Sequence, residues 1–195
     1  MIILTSNGLS SDALRREAGK YTATARKAAI VTTASVGYKE NDWHIPRITQ
    51  ELEQLGLSVD YVDIEAQSPD ALLGYDVVEI NGGNPFFLLH QIRLQKAEDI
   101  FRCIAEKGVL IGISAGSCML QKNIDLIAQY SPEMNQAVGL NDHSALGLTR
   151  LEILPHYHRF LSRFEKFEER AQAYEQAHDC AVIRLDDGQG VFDMG

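Results

Sequence analysis

Short apolar runs alternate with longer amphipathic stretches along the whole chain, and few folds are compatible with this alternation. Residues 28–33 and 108–113 are almost continuously apolar. Strands that are apolar on both faces are typical of a parallel sheet covered by helices on both sides. We therefore predict an α/β fold with a mostly parallel sheet and helices on both of its faces.

The same patterns predict the positions of the individual elements. Predicted strands cover residues 1–6, 28–33, 58–63, 75–80, 108–113 and 151–154, and residues 180–185 and 190–192 form a terminal pair. Predicted helices cover residues 12–22, 45–55, 86–107 with a break near 95–97, 115–121 and 160–177, whereas 129–149 is irregular. Without an internal repeat or a linker, residues 1–195 are expected to form a single domain.

Charge and cysteine content exclude several classes of protein. The net charge of −9 argues against a nucleic-acid partner, whose phosphates require a basic face. The N-terminal apolar run is four residues long and follows no basic region, so we expect neither a signal peptide nor membrane association, and a cytoplasmic location. Cys103, Cys118 and Cys180 are far apart, and neither they nor the histidine pair at 156 and 158 has metal-ligand spacing. We therefore predict no metal and no cofactor.

A glycine-flanked serine directly follows one of the buried strands. The segment Gly112-Ile-Ser-Ala-Gly116 matches the G-x-S-x-G nucleophile elbow, a strand-turn-helix that exposes a serine hydroxyl at the sheet edge. Gly112 and Gly116 lack Cβ atoms, so strand and helix can cross closely. Ser114 is the candidate nucleophile, and the backbone N–H of Ala115 is expected to face the oxyanion.

A second turn, Asn81-Gly-Gly-Asn-Pro85, also joins a strand to a helix. Asn84 can cap this helix, and Pro85 suits its first position. The glycine pair lets backbone N–H groups face a ligand, so Gly83 is the candidate for the second oxyanion donor. The same turn is also consistent with a simple tight connection.

The candidate base follows the short strand at 151–154. A histidine at a strand end can lie beside the elbow and accept the serine proton. His156 occupies this position after Pro155, and His158 is the alternative two residues farther along.

Four motifs in order resemble the S51 peptidase family, which includes aspartyl dipeptidase and cyanophycinase. They are Ser6-Asn7, Gly82-Gly83-Asn84-Pro85-Phe86, Gly112 to Gly116, and Pro155-His156-Tyr157. The resemblance extends over nearly the whole chain and implies a fold similar to class I glutamine amidotransferases. It implies a serine peptidase with His156 as the base. Members of the family usually continue past the position of the Asp187-Gly188 turn with another strand or two, whereas this sequence stops at Gly195.

The acid of the triad follows from the resemblance less directly. The family places a carboxylate next to methionine roughly twenty residues before the histidine, which here is Glu133 in Ser131-Pro-Glu-Met134. Asp142 is the alternative.

Substrate binding is also assigned from the resemblance. An arginine on the helix after the histidine is expected to hold an aspartyl side chain, and the matching position is Arg170, with Arg159 and Arg163 as nearer alternatives. Arg170 and Asn84 are the candidate substrate-binding residues. The expected substrate is a small peptide, a dipeptide or specifically Asp-Xaa, and the expected assembly is a monomer or a homodimer.

Two other functions are compatible with these residues. One is a binding module that keeps the elbow but has lost activity. The other is cysteine chemistry at Cys118, which is disfavoured because this residue is not at the elbow.

Overall fold

Strands and helices alternate along the chain in the computed structural model, which describes residues 1–195. The strands are β1 (Ile2–Thr5), β2 (Lys27–Val31), β3 (Ser58–Val62), β4 (Val77–Ile80), β5 (Val109–Ile113), β6 (Glu152–Leu154), β7 (Val182–Arg184) and β8 (Gly190–Asp193). The helices are α1 (Asp12–Tyr21), α2 (Ile45–Glu53), α3 (Pro85–Leu94), α4 (Glu98–Lys107), α5 (Ala115–Leu120), α6 (Asp125–Tyr130), α7 (Tyr157–Leu161) and α8 (Phe167–His178).

The central sheet has six strands in the order β3-β2-β4-β5-β1-β8. The first five are parallel, and β8 pairs with β1 in the antiparallel direction. A second sheet consists of β6 and β7, which run parallel to each other. The predicted α/β class with a mostly parallel sheet is confirmed.

Helices cover both faces of the central sheet, because successive strand residues point to opposite sides. On one face, Ile30 and Ile111 pack with buried residues of α1 and α2 such as Leu14 and Ile48. On the other face, Val78 and Leu110 pack with buried residues of α3, α4 and α5. The parallel strands all end at one edge, so the loops after β1, β4 and β5 lie together there.

Two predicted helices are each divided in two. The break expected near 95–97 is present between α3 and α4, where Lys96 has a φ of 53°. The single helix predicted at 160–177 is wrong, since α7 ends at Leu161 and α8 begins at Phe167 after Lys166 with a φ of 50°. The intervening turn allows Phe164 to stack on Phe167, with 6.0 Å between the ring centroids.

The predicted pairing of the last two strands is also wrong. Residues of β7 pair with β6, with Leu154 opposite Arg184, whereas β8 joins the edge of the central sheet beside β1. The pairing of β7 with β6 places the carboxyl ends of both strands side by side.

No helix of the structure combines the length and apolar character that a membrane crossing requires. The structure groups no three His, Cys, Asp or Glu side chains in a way that could hold a metal ion.

Candidate active site

The G-x-S-x-G turn has the backbone geometry of a nucleophile elbow. Ser114 lies between β5 and α5 with φ 50° and ψ −109°, a conformation that non-glycine residues rarely adopt. A Cβ on Gly116 would lie 2.1 Å from the carbonyl oxygen of Ile80, and one on Gly112 would lie 2.5 Å from the Cα of Ser117. Both glycines are therefore required for the close crossing of strand and helix, as predicted.

The hydroxyl of Ser114 is hydrogen-bonded to a histidine that follows β6. The distance between Ser114 Oγ and His156 Nε2 is 3.0 Å. His156 is largely buried and has a left-handed backbone with φ 58°. The alternative base, His158, is 74% exposed and bonds to Asp186 instead. The structure therefore brings together the predicted nucleophile and the predicted base.

The carboxylate at the other ring nitrogen is Asp187. Its Oδ1 lies 2.5 Å from His156 Nδ1 and also accepts a 2.8 Å hydrogen bond from the hydroxyl of Ser6. Ser6 in turn accepts the backbone N–H of His156 at 2.8 Å. Asp187 and Ser6 thus hold the imidazole of His156 with Nδ1 as the donor and Nε2 as the acceptor that faces Ser114.

The predicted acid, Glu133, is not in contact with this histidine, and this assignment is corrected. Glu133 is exposed in the turn after α6, where its carboxylate forms no hydrogen bond or ion pair. The alternative, Asp142, is also exposed and is bound by Arg93 at 2.9 Å. Neither is close to Nδ1, because the strand pairing of β6 with β7 brings in the turn after β7 instead.

Two residues that contact His156, Asp187 and Ser6, are not predicted from the sequence. Ser6 belongs to the Ser6-Asn7 motif at the carboxyl end of β1, to which the family resemblance assigns no role. Asn7 Oδ1 accepts the N–H of Gly188 at 2.8 Å, so the motif anchors the turn that carries Asp187. A conspicuous Asp187-Gly188 turn at the end of a strand was the available signal.

The pKa values of the histidine and the aspartate shift in the same direction. Burial lowers the pKa of His156 below its usual 6.5, although the hydrogen bond and the charge of Asp187 oppose this. Burial alone would raise the pKa of Asp187, but the hydrogen bonds from His156 and Ser6 outweigh it and the pKa is lowered. A neutral imidazole beside an ionised carboxylate is the state that general-base catalysis requires.

Two backbone amides beside Ser114 have no acceptor within the protein. Gly83 has a φ of 141° and its N–H forms no backbone hydrogen bond. Ala115 provides the first amide of α5, to which no carbonyl of that helix can bond. A Cβ on Gly83 would lie 2.2 Å from the carbonyl oxygen of Ala34, so only glycine fits there. These two N–H groups remain the predicted oxyanion donors.

Two cavities have Ser114 among their lining residues. The aromatic cavity, about 160 Å³, has Glu133 and Arg163 among its lining residues and is otherwise largely apolar. Its apolar walls are Ile127, Tyr130, Met134, Phe160 and Phe164. The cationic cavity, about 310 Å³, is lined by His156, Asp187 and two arginines, Arg47 and Arg159. Trp43 and His44 complete its outer wall.

The two predicted substrate-binding residues have other roles in the structure. The guanidinium of Arg170 lies 4.6 Å from the ring centroid of Tyr130 and does not line either cavity. Asn84 caps α3 by accepting the N–H groups of Phe86 and Phe87, and its amide donates to the carbonyl of Met134. The alternatives Arg163 and Arg159 do line the aromatic and cationic cavities respectively.

Cys118 is poorly suited to nucleophilic chemistry. It is 1% exposed within α5, and burial raises the pKa of its thiol to about 12. A thiol with this pKa is almost entirely protonated at neutral pH, which weakens it as a nucleophile.

The sequence and the fold are similar to those of other proteins described as peptidases. The uncharacterized peptidase Lmo0363 of Listeria monocytogenes is 33% identical over 175 residues, covering 87% of this chain and 83% of the relative. A protein of Drosophila melanogaster named "Probable alpha-aspartyl dipeptidase" is 24% identical over 212 residues, covering 100% of this chain and 83% of that protein.

A crystal structure from Listeria monocytogenes, described as a "Putative Peptidase E Protein", superposes with a TM-score of 0.75 at 26% identity, covering 98% of this chain and 93% of that one. The sequence model of Peptidase family S51 matches residues 2–194. This match covers nearly the whole chain, and Ser114 lies in a nucleophile elbow, so the prediction of a serine-type peptidase is confirmed. The chain belongs to peptidase family S51.

Proposed function

We propose that this peptidase hydrolyses dipeptides through an acyl-enzyme on Ser114, with His156 as general base and Asp187 as the carboxylate that orients it. The observation that carries the proposal is the continuous hydrogen-bonded path from Ser114 Oγ through both nitrogens of His156 to Asp187. A nucleophile, a base and an orienting carboxylate in this arrangement are what triad chemistry requires.

The reaction proceeds in two halves. His156 removes the hydroxyl proton as Ser114 Oγ bonds to the peptide carbonyl carbon, and the oxyanion accepts hydrogen bonds from the N–H groups of Gly83 and Ala115. The C–N bond then breaks as the imidazolium gives its proton to the leaving amine. In the second half, His156 deprotonates a water molecule that attacks the ester carbonyl. The ester C–O bond then breaks, the imidazolium returns its proton to Ser114 Oγ, and the acid product leaves.

The position of the histidine supports a proposed role for each of the two cavities. Because His156 must protonate the leaving nitrogen, the leaving amino acid lies on the side where the imidazole is accessible. His156 lines the cationic cavity and not the aromatic cavity. The leaving residue therefore occupies the cationic cavity, and the N-terminal residue that acylates Ser114 occupies the aromatic cavity.

The walls of the aromatic cavity favour an apolar N-terminal residue, because seven of its 14 lining residues are hydrophobic. An N-terminal aspartate is the second candidate. Arg163, which lies over Phe160 and Phe164, is the cation in this cavity that could pair with an aspartyl side chain. The name of the Drosophila relative is consistent with this second candidate.

Labelling with a fluorophosphonate probe tests the mechanism. We expect wild type to form an adduct on Ser114, Ser114→Ala to form none, and His156→Ala to react far more slowly. His158→Ala is the matched control, because this exposed histidine lies two residues away and should leave labelling intact. A folded wild-type protein that does not label would overturn the proposal.

A dipeptide panel then tests the substrate. We expect Leu-Leu to be cleaved with a higher kcat/KM than Asp-Leu in wild type. If Asp-Leu is preferred instead, the second candidate is correct, and Arg163→Met should abolish that preference.

A further inference from the structure

Two arginines, Arg47 and Arg159, line the cationic cavity, and neither takes part in the acyl-transfer steps described above. We infer that this cavity binds the free α-carboxylate of the leaving amino acid and that Arg47 is the residue that selects it. The inference rests on the proposed function, because it places the leaving residue in this cavity. It goes further by naming the group that limits the substrate to a peptide ending at that residue.

Two contacts with the protein fix the position of the Arg47 side chain. It lies in the first turn of α2, where one guanidinium nitrogen pairs with Glu51 and the other, Nη2, donates to the carbonyl of Asn7 at 2.8 Å. The Glu51 side chain is 5% exposed, whereas that of Arg47 is 40% exposed. A guanidinium has five N–H donors, and these contacts leave others for a ligand in the cavity. The side chain is therefore ordered by the protein before a substrate binds.

Arg159 adds a second positive charge to the same cavity. The Arg159 side chain is 58% exposed, and its guanidinium lies 3.6 Å from Asp187 Oδ2. Asp187 is the one acidic residue that lines this cavity, and its Oδ1 is already hydrogen-bonded to His156 and Ser6. Each arginine has one acidic neighbour, Glu51 for Arg47 and Asp187 for Arg159, so the unused N–H donors of the two guanidinium groups are what favour an anionic ligand.

A carboxylate is the group that fits this arrangement. Guanidinium and carboxylate form short, charge-assisted hydrogen bonds that can be bidentate. The α-carboxyl of a peptide is ionised at neutral pH, since its usual pKa is about 3.5. In a dipeptide this group lies within the residue that leaves, next to the scissile nitrogen. Arg47 and Ser114 line the same cavity, so one leaving residue can contact both.

A longer or amidated peptide presents a neutral amide at this position. It would lose the charge-assisted hydrogen bonds and leave donors of Arg47 without a partner. We expect a free carboxylate to be preferred over an amide by roughly 10-fold to 100-fold in affinity, the range of such bonds to charged groups.

Trp43 provides a direct readout of occupancy. It is the only tryptophan in the chain, it is 87% exposed, and it lines the cationic cavity. Its ring lies 5.3 Å from that of His44, at the outer wall. A leaving residue in the cavity would cover part of this ring and change its emission.

The experiment titrates the Ser114→Ala variant with Leu-Leu and with Leu-Leu amide while Trp43 emission is recorded. These ligands differ only in the terminal carboxylate, and no hydrolysis occurs in this variant. We expect Leu-Leu to bind at least 10-fold more tightly than its amide. Equal affinities, or no change in emission with either ligand, would overturn the inference.

Arg47→Gln in the same background tests the assigned residue, and it should reduce the preference for the carboxylate to nearly none. Because this change leaves Glu51 buried without its partner, the double variant Arg47→Gln, Glu51→Gln provides a version with a neutral pair. Arg102→Gln is the control, since Arg102 lies on α4 away from the cavity and should keep the preference. A preference that persists in both Arg47 variants would overturn the role of Arg47.

The outcomes separate this inference from the proposed function. Wild type that labels with the fluorophosphonate while Ser114→Ala binds acid and amide equally overturns only the carboxylate inference. A folded wild type that fails to label overturns the proposed mechanism, whatever the binding data show.

Discussion

Asp187 Oδ1 and His156 Nδ1 lie 2.5 Å apart although 31 residues separate them in sequence. The contact exists because β6 and β7 are parallel neighbours, with Leu154 opposite Arg184. Both residues lie in the turns that immediately follow these strands. The small second sheet therefore brings the carboxylate to the histidine, while the central sheet carries the serine.

Replacing Asp187 by asparagine should reduce kcat by about 10³-fold to 10⁴-fold, because the amide neither fixes the required tautomer nor stabilises the imidazolium. Steady-state kinetics with a dipeptide, supported by fluorophosphonate labelling rates, measure this loss.

Two controls accompany Asp187→Asn. Asp186→Asn changes the neighbouring carboxylate, which accepts from His158, and should keep kcat close to that of wild type. Glu133→Gln should label with the fluorophosphonate as fast as wild type, because Glu133 does not contact His156. Loss of labelling in Glu133→Gln together with normal labelling in Asp187→Asn would contradict the geometry described above.

The pH dependence of activity should follow the lowered pKa of His156. Burial, the largest influence, lowers this pKa, while Asp187 raises it, and the net value lies below 6.5. Since the base must be neutral, kcat/KM should be constant above about pH 7 and fall as the pH drops through that lower pKa.

The Asp187→Asn variant tests the sign of the contribution from Asp187. Removing the carboxylate removes the influence that raises the pKa of His156, so the acidic limb of the profile should move to lower pH. Single-turnover measurements can follow this limb despite the low activity. A shift to higher pH would contradict the assigned contribution of Asp187.

Gly83→Ala should lower both stability and activity. A Cβ there would lie 2.2 Å from the carbonyl oxygen of Ala34, at a φ of 141° that side chains rarely adopt. Displacement of the N–H from the oxyanion position should cost on the order of 100-fold in kcat. Gly82→Ala is the matched variant for stability, because its Cβ would come no closer than 3.4 Å to any atom. Thermal unfolding should show the larger decrease in Tm for Gly83→Ala.

Cys118 should resist iodoacetamide in the native protein, and treated enzyme should keep its activity. The thiol is buried with a pKa of about 12, so little thiolate forms at neutral pH. Cys103 and Cys180 are partly exposed and serve as internal controls for the reagent. Peptide mass spectrometry reports the site of modification, and rapid inactivation with label on Cys118 would support cysteine chemistry.

The positions of Ser114 and His156 followed from the sequence because their signals are local. A buried strand, two glycines that a close crossing requires, and a proline-histidine step after a short strand all lie within a few residues of the group they position. The strands β1, β2, β4 and β5 were likewise predictable, since they are almost wholly buried and strands buried on both faces are largely apolar.

Only the tertiary structure decided which carboxylate contacts His156 and which arginines line the cavities beside Ser114. The choice of Asp187 over Glu133 depends on β7 pairing with β6 rather than with β8, and residues 182–184 carry no local mark of their partner. Arg47 faces the cationic cavity whereas Arg170 packs on Tyr130, although both are charged residues on amphipathic helices. Long-range pairing and helix orientation are set by the packing of the whole chain, so no nearby residue records them.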